Sequence, residues 1–344
     1  MAIITIIGAG MMGSALAFPA RENGHEVRLV GTPLDEEIIR EVQATGKHPK
    51  LPLPFPAGIK TYFTHQTAEA VKGADLIIGG VSSFGVEWFG NFVLPLLPAG
   101  VPVLTVTKGL LDTPDGRLIP YPHYWADLRP ELCFNAIGGP CTSYELVAHD
   151  QTHVSFCGPD KEILRTLRKW MTTDYYHISL TTDVVGVESA VALKNGYALG
   201  VALTIGLNQR QWGAESPLHY NSQAAVFGQS VVEMTRLLTL QGADTLSNRA
   251  VGLGDLYVTV YGGRTRQIGI LLGRGMDIDA ARQELSGVTL ESLVVAERVA
   301  RAVRIQIADG RLQAADFPLL LHIDDLLHKK TDAVLPWEAF CREE

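Results

Sequence analysis

The sequence predicts a parallel α/β domain followed by an all-helical domain. Three observations carry this: a glycine turn set between a strand pattern and a helix pattern, alternating strand and helix signals through the first half, and sustained helical period after residue 182. The expected division is therefore 1–182 and 183–344. A length of 344 residues suits two domains, since one ordinary domain holds roughly 100 to 200. Hydrophobic residues at 47% against 19% charged are the usage of a chain that folds around a core.

Apolar runs at 3–7, 27–30, 76–78, 101–106 and 133–137 read as strands, with helical stretches such as 14–23 and 34–44 between them. That order closes into a parallel sheet covered by helices on both faces. Pro19 lacks the amide a helix interior needs, so a kink is expected there. Residues 48–57, broken by prolines and basic side chains, read as a connecting loop. Beyond residue 182 the helical stretches are 184–207, 221–241, 265–274 and 288–303.

Charge and composition exclude several function classes. Lys and Arg total 29 against 37 Asp and Glu, a net charge of −8 that repels nucleic-acid phosphates and anionic lipid. No nucleic acid and no membrane are expected as partners. The stretch 184–207 nears membrane-spanning length, but Glu188 and Lys194 inside it would each cost on the order of 3 kcal/mol in lipid, so it reads as a buried helix. Cys133, Cys141, Cys157 and Cys341 show neither a metal-ligand spacing nor a disulfide framework, and no signal peptide is read at the start, which together suit a cytoplasmic location. No histidine falls in H-E-x-x-H or H-x-H, and His149 and His153 stand four apart in a polar, strand-like stretch, so no metal is expected.

Gly8, Gly10 and Gly13 form G-x-G-x-x-G directly after the first strand and before a helix rich in small residues. In that context Gly8 makes the tight turn, Gly10 lets backbone approach a pyrophosphate, and Gly13 lets helix pack on strand. The helix start then offers unpaired N–H groups and a positive dipole end to the anion. A Rossmann-type dinucleotide domain follows. The acidic residue that ends the second strand of an NAD site is missing: HEVRLV runs into Gly31 and Thr32, and Asp35 is expected within the next helix. No arginine pair stands there for a 2′-phosphate either, so NAD is the expected cofactor and NADP stays open.

Two polar intrusions mark the second half. Val187, Val191, Lys194, Ala198, Val201 and Ile205 recur at helical spacing, which sets one lysine in an apolar stripe. Desolvation lowers a lysine's pKa and makes it a proton donor and acceptor near neutrality; the alternative is a structural lysine that snorkels out or pairs with Glu188 or another carboxylate. In VGLGDLYVTVYGGRTRQIG, Asp255 and Thr259 stand one helical turn apart, and Asp255, between apolar neighbours, needs a partner such as Lys194. Gly262 and Gly263 then precede Arg264 and Arg266 at a helix start, a pattern that suits a phosphate.

These residues resemble the NAD-dependent glycerol-3-phosphate dehydrogenase family over almost the whole chain: GAGMMGSALA at 8–17, VTKGL at 106–110, GGPCTSYE at 138–145, ALKN at 192–195, GLGDLYVT at 252–259 and YGGRTR at 261–266. The resemblance implies reversible hydride transfer between NAD and dihydroxyacetone phosphate or sn-glycerol 3-phosphate, a phosphorylated small-molecule substrate and a homodimer. It implies Lys194 as the general acid, Lys108 as a second active-site lysine, and Asp255 and Thr259 as the groups that hold Lys194. Substrate contacts are implied for Asn195, Arg264 and Thr265. Cofactor contacts are implied for Gly8, Gly10, Met11, Met12, Gly13, Thr32, Phe84, Lys108, Arg264 and Glu291. The chain departs from the family at Ser82 and Ser83, at Cys141 where serine is usual, and in the Pro- and aromatic-rich segment 114–130. A hydroxyacid or ketopantoate dehydrogenase is the rival among enzymes, and a non-catalytic dinucleotide sensor the rival outside them.

Overall fold

The computed structural model describes residues 1–341; the last three residues of the expected second domain lie outside it. The chain divides into two units. The first comprises Met1–Lys108 and Pro120–Glu188; the second takes Gly109–Ile119 and the chain from Ser189 onward. The sequence boundary at residue 183 lies at the head of the Val184–Trp212 helix, whereas the division falls inside that helix.

The strands, in chain order, are β1 (Ile3–Ile7), β2 (Glu26–Val30), β3 (Lys60–Tyr62), β4 (Leu76–Gly79), β5 (Pro102–Thr105), β6 (Leu110–Asp112), β7 (Leu118–Pro120), β8 (Cys133–Gly138), β9 (Thr152–Cys157) and β10 (Tyr176–Thr181). Eight of them form the sheet of the first unit in the order β10-β9-β8-β5-β4-β1-β2-β3. Its central strands are apolar on both faces, as a helix-covered parallel sheet requires: Ile4, Ile6, Leu29, Ile78 and Leu104 are all fully buried. The one polar side chain in β1, Thr5, donates to the Ala70 carbonyl at 2.8 Å. The sheet is not wholly parallel, because β9 runs antiparallel to β8 with Ile137 opposite Phe156. Only the five-residue helix Ser143–Val147 separates these strands, and the chain returns beside β8 instead of crossing over.

Pro19 lies inside the Met11–Glu22 helix, which continues past it, and Gly13, Ser14, Ala15, Ala17 and Ala20 are its buried small residues. His153 lies within β9 as its strand-like pattern suggests, but His149 does not: it sits in the preceding turn with φ 62°.

The second unit holds the Val184–Trp212 helix from Ser189 onward and the helices Tyr220–Leu240, Thr245–Tyr261, Gly263–Gly273, Ile278–Glu284, Glu291–Ala308 and Pro318–Leu327. It is not purely helical, since β6 and β7 form a two-stranded ribbon whose strands and turn are clipped to the Glu291–Ala308 helix. Arg298 donates to the Leu110 carbonyl at 3.1 Å, Gln306 to the Gly116 carbonyl at 2.6 Å, and Arg301 pairs with Asp112 at 3.0 Å. The Val184–Trp212 helix is long and apolar enough to cross a membrane, yet 94% of its most apolar window is buried inside the protein, the burial of a core helix.

Close backbone approach fixes the Gly263–Gly273 helix on that core helix. A Cβ on Gly206 would lie 2.2 Å from the Ile270 carbonyl oxygen, and one on Gly273 would lie 2.3 Å from that of Leu203. Neither helix backbone can yield by so much without moving the other. Gly206→Ala should therefore destabilise the protein by about 1–3 kcal/mol, read as a lowered midpoint in thermal or denaturant unfolding.

Candidate active site

The glycine turn of the first unit is built by backbone contacts that no side chain could replace. Gly8 has φ 115°, and a Cβ there would lie 2.6 Å from the Gly80 carbonyl oxygen; one on Gly13 would lie 2.2 Å from that of Gly8. At Gly10 a Cβ would meet nothing within 4 Å, so this Cα faces open space at the head of the Met11–Glu22 helix. No side chain caps that helix start, which leaves its first amides to an anion. A dinucleotide pyrophosphate fits this cradle.

Side chains lock the turn from behind. Asp35 is not inside the following helix: it stands at the N-cap position of Glu36–Thr45, and its buried carboxylate folds back. One oxygen, Oδ2, accepts from the Ala9 N–H at 3.0 Å, the Thr32 N–H at 2.9 Å and the Thr32 hydroxyl at 2.8 Å. His48, in the loop 48–57, is also buried and meets the Ala9 carbonyl through Nε2 at 3.1 Å, while its Nδ1 accepts from the Lys50 N–H. Those partners call for the neutral Nε2–H tautomer, and burial pushes the His48 pKa down.

Among the remaining expected cofactor residues, Met12 packs on the first unit's core, Met11 is 36% exposed and Phe84 is 61% exposed in the turn after β4. Lys108 follows β5, is partly buried, and donates to the Gly139 carbonyl at 3.3 Å.

In the second unit the structure brings Lys194, Asp255 and Thr259 together. Lys194 is 7% exposed and Asp255 1%. The ammonium donates to Asp255 Oδ1 at 2.9 Å and to Thr259 Oγ1 at 2.6 Å, while the Thr259 hydroxyl donates to the Asp255 carbonyl at 2.7 Å. Gly252 lets the Asp255 helix close on the Lys194 helix: a Cβ there would lie 3.1 Å from Ala190 Cβ and from Met234 Cε. Asn195 and Thr265 are buried nearby in sequence to Lys194 and Arg264.

The two arginines at the start of the Gly263–Gly273 helix part company. Arg264 is half-exposed, with Nη2 at 3.5 Å from Glu291 Oε2, a long contact on the surface. Arg266 turns back to donate through Nη1 to the Val260 carbonyl at 3.0 Å, at the end of the preceding helix. The helix start itself carries no side-chain cap.

Two family models span the chain: the NAD-dependent glycerol-3-phosphate dehydrogenase N-terminus matches residues 3–163 and the C-terminus matches residues 183–335. The chain belongs to this family. An NADP(+)-dependent glycerol-3-phosphate dehydrogenase of Archaeoglobus fulgidus is 32% identical over 335 residues, covering 94% of this chain and 98% of the relative. A glycerol-3-phosphate dehydrogenase [NAD(P)+] of Citrifermentans bemidjiense is 31% identical over 308 residues, 86% of this chain and 84% of the relative. The crystal structure of a glycerol-3-phosphate dehydrogenase from Coxiella burnetii superposes with a TM-score of 0.82 at 26% identity, covering 98% of this chain and 97% of that one. The protein is thus an NAD(P)-dependent dehydrogenase on the Rossmann-type plan, with a helix-rich C-terminal region.

The departures of this glycerol-3-phosphate dehydrogenase family member have structural places. In the segment 114–130, Tyr121 and Trp125 are core residues of the first unit, and Trp125 Nε1 donates to the Val86 carbonyl at 3.2 Å. Cys141 is partly buried, in no disulfide, ahead of the Ser143–Val147 helix. Asp35 and His48 escape sequence reading because their roles depend on chain reversal; the one available signal was a carboxylate placed three residues past Thr32. Asp35→Ala would strand two N–H groups and a hydroxyl, and should weaken NADH binding by roughly 10- to 100-fold, whereas Asp35→Asn, which keeps an acceptor, should recover most of it. Fluorescence titration with NADH reads both.

Proposed function

We propose that the protein catalyses reversible hydride transfer between NAD(P)H and dihydroxyacetone phosphate or sn-glycerol 3-phosphate, with Lys194 as general acid and base. The carrying observation is the buried Lys194 ammonium held at once by Asp255 at 2.9 Å and Thr259 at 2.6 Å. A lysine so placed is fixed in direction and shielded from bulk water, which a proton donor to a ketone oxygen requires. The bound nicotinamide supplies or accepts the hydride. Lys194 gives a proton to the substrate carbonyl oxygen on reduction and takes it back on oxidation. Asp255 and Thr259 orient that amine, and Asp255 balances its charge while it is protonated.

In this reading the first unit binds the dinucleotide through Gly8, Gly10, Met11, Met12 and Gly13, with Thr32, Phe84 and Lys108 beside it. The second unit provides Asn195, Arg264 and Thr265 for the substrate and Glu291 for the cofactor. The exposed Arg264 guanidinium, set at an uncapped helix start, suits a phosphate dianion. The Lys108 ammonium adds positive charge for an anionic ligand. The finer expectations, a homodimer working in the cytoplasm, belong to the same reading.

Steady-state oxidation of NADH and NADPH against dihydroxyacetone phosphate and a panel of keto acids tests the assignment. Turnover should favour the phosphorylated ketone, with inorganic phosphate competing; preference for a keto acid would overturn the substrate. Lys194→Ala should lower kcat by about 10²- to 10⁴-fold with little change in NADH affinity. Arg264→Ala should raise KM for dihydroxyacetone phosphate by roughly 10-fold or more, as loss of a charged hydrogen bond would.

A further inference from the structure

The stretch GKHPK at 46–50 has no part in the mechanism above, yet it is tied directly to the glycine turn. His48 is 2% exposed; its Nε2 meets the carbonyl of Ala9, the residue between Gly8 and Gly10, at 3.1 Å, and its Nδ1 accepts from the Lys50 N–H at 3.1 Å. The rest of the loop is fastened to the same unit. Leu51 lies in that unit's core, the Phe18 and Phe55 rings pack 5.6 Å apart, and the Phe55 N–H donates to the Gly46 carbonyl at 2.9 Å. Lys47 and Lys50 therefore flank a buried anchor on a built loop, and both are exposed. Among the described residues neither ammonium has a hydrogen bond or an ion pair, whereas Arg28, Arg40 and Lys60 of the same unit are each paired with a glutamate.

The strand end beside the glycine turn has little with which to read the 2′ position of an adenosine ribose. In a Rossmann-type site that position lies past the second strand, where an acid holds the 2′-hydroxyl and repels a 2′-phosphate. Here Gly31 cannot carry a side chain without displacing Ile39, whose Cγ1 would lie 2.8 Å from a Cβ. The Thr32 N–H and hydroxyl are both spent on Asp35 Oδ2, at 2.9 Å and 2.8 Å, and the same oxygen takes the Ala9 N–H at 3.0 Å. One peptide unit, Ala9, is thus held by Asp35 through its N–H and by His48 through its carbonyl. The acid that would refuse a 2′-phosphate is turned inward, and the loop anchored beside it carries two cations with no partner.

We propose that Lys47 and Lys50 bind the 2′-phosphate of NADP(H), so that the protein prefers NADPH to NADH. The proposal deepens the reading that the dinucleotide lies on the glycine turn, and it rests on that reading. Two ammoniums match a phosphate dianion as point charges. The ribose of NADH carries only a neutral hydroxyl there and gains no charge pairing from them.

Fluorescence titration with NADPH and with NADH tests this without substrate, in the wild type, Lys50→Met and Lys47→Met/Lys50→Met. The wild type should bind NADPH about fivefold or more tightly than NADH, and the double variant should lose roughly 10-fold in NADPH affinity while NADH affinity moves less than about twofold, with Lys50→Met between them. Adenosine 2′,5′-bisphosphate should displace NADPH from the wild type better than 5′-AMP does and lose that advantage in the double variant. Thermal unfolding checks that the variants are folded, as substitution of exposed side chains allows.

Equal losses for both dinucleotides would overturn the proposal by assigning the lysines to the pyrophosphate that the two share. Tighter binding of NADH by the wild type, or an unaltered NADPH affinity in the double variant, would overturn it as well. Failure to bind either dinucleotide would defeat the glycine-turn reading and this proposal together. Failure only to reduce dihydroxyacetone phosphate would defeat the substrate assignment and leave the titrations to decide the role of the two lysines.

Discussion

The arrangement depends on one buried ion pair, Lys194 with Asp255. Two charges removed from water are stable only when each satisfies the other and the remaining donors find acceptors. Here Thr259 accepts a second ammonium N–H and donates its own hydroxyl to the Asp255 backbone carbonyl, so ammonium, carboxylate and hydroxyl support one another. Removal of either charge would leave the other buried and alone, a loss of about 3–5 kcal/mol. That penalty constrains the helices. Gly252 must stay small for Asp255 to come within reach, and the apolar faces around Lys194 must remain closed for the amine to stay dry.

Three buried carboxyls in this chain show how environment divides one functional group into different tasks. Asp255 faces a cation and is an ion-pair partner. Asp35 faces N–H and O–H donors and serves as an anchor for the glycine turn, where it holds Ala9 from one side as His48 holds it from the other. Glu188 is buried with one carboxyl oxygen unpartnered, and burial pushes its pKa up. Burial is common to all three, so the partners decide the outcome. Asp35 also explains why the strand end after β2 looks wrong for NAD in sequence: an acid is present, but it is turned into the turn's own backbone.

Much of the plan was legible because its signals are local. A strand of IITII followed by G-x-G-x-x-G leaves little choice of fold, and a lysine within an apolar helical stripe announces a buried amine that needs a carboxylate. Glu188 and Asp255 were both open as that carboxylate; the hydrogen bond goes to Asp255. The rest was set by tertiary contacts. β3, β6 and β7 are three residues each, too short for an alternating pattern, and β9 and β10 mix His, Thr and Ser with apolar residues, so their strand signal is weak. The ribbon 109–119 joins the second unit through side chains of a helix nearly two hundred residues later, such as Arg298 reaching Leu110. That Arg266 reaches back to the Val260 carbonyl is likewise visible only in the fold.

The most direct test of the central claim is a double-mutant cycle on Lys194 and Asp255, read as kcat/KM for dihydroxyacetone phosphate. If Asp255 acts only through the lysine it holds, Lys194→Ala/Asp255→Ala should be no more than about threefold slower than Lys194→Ala alone. Losses that multiply, with the double variant slowed by the product of the two single effects, would contradict the account.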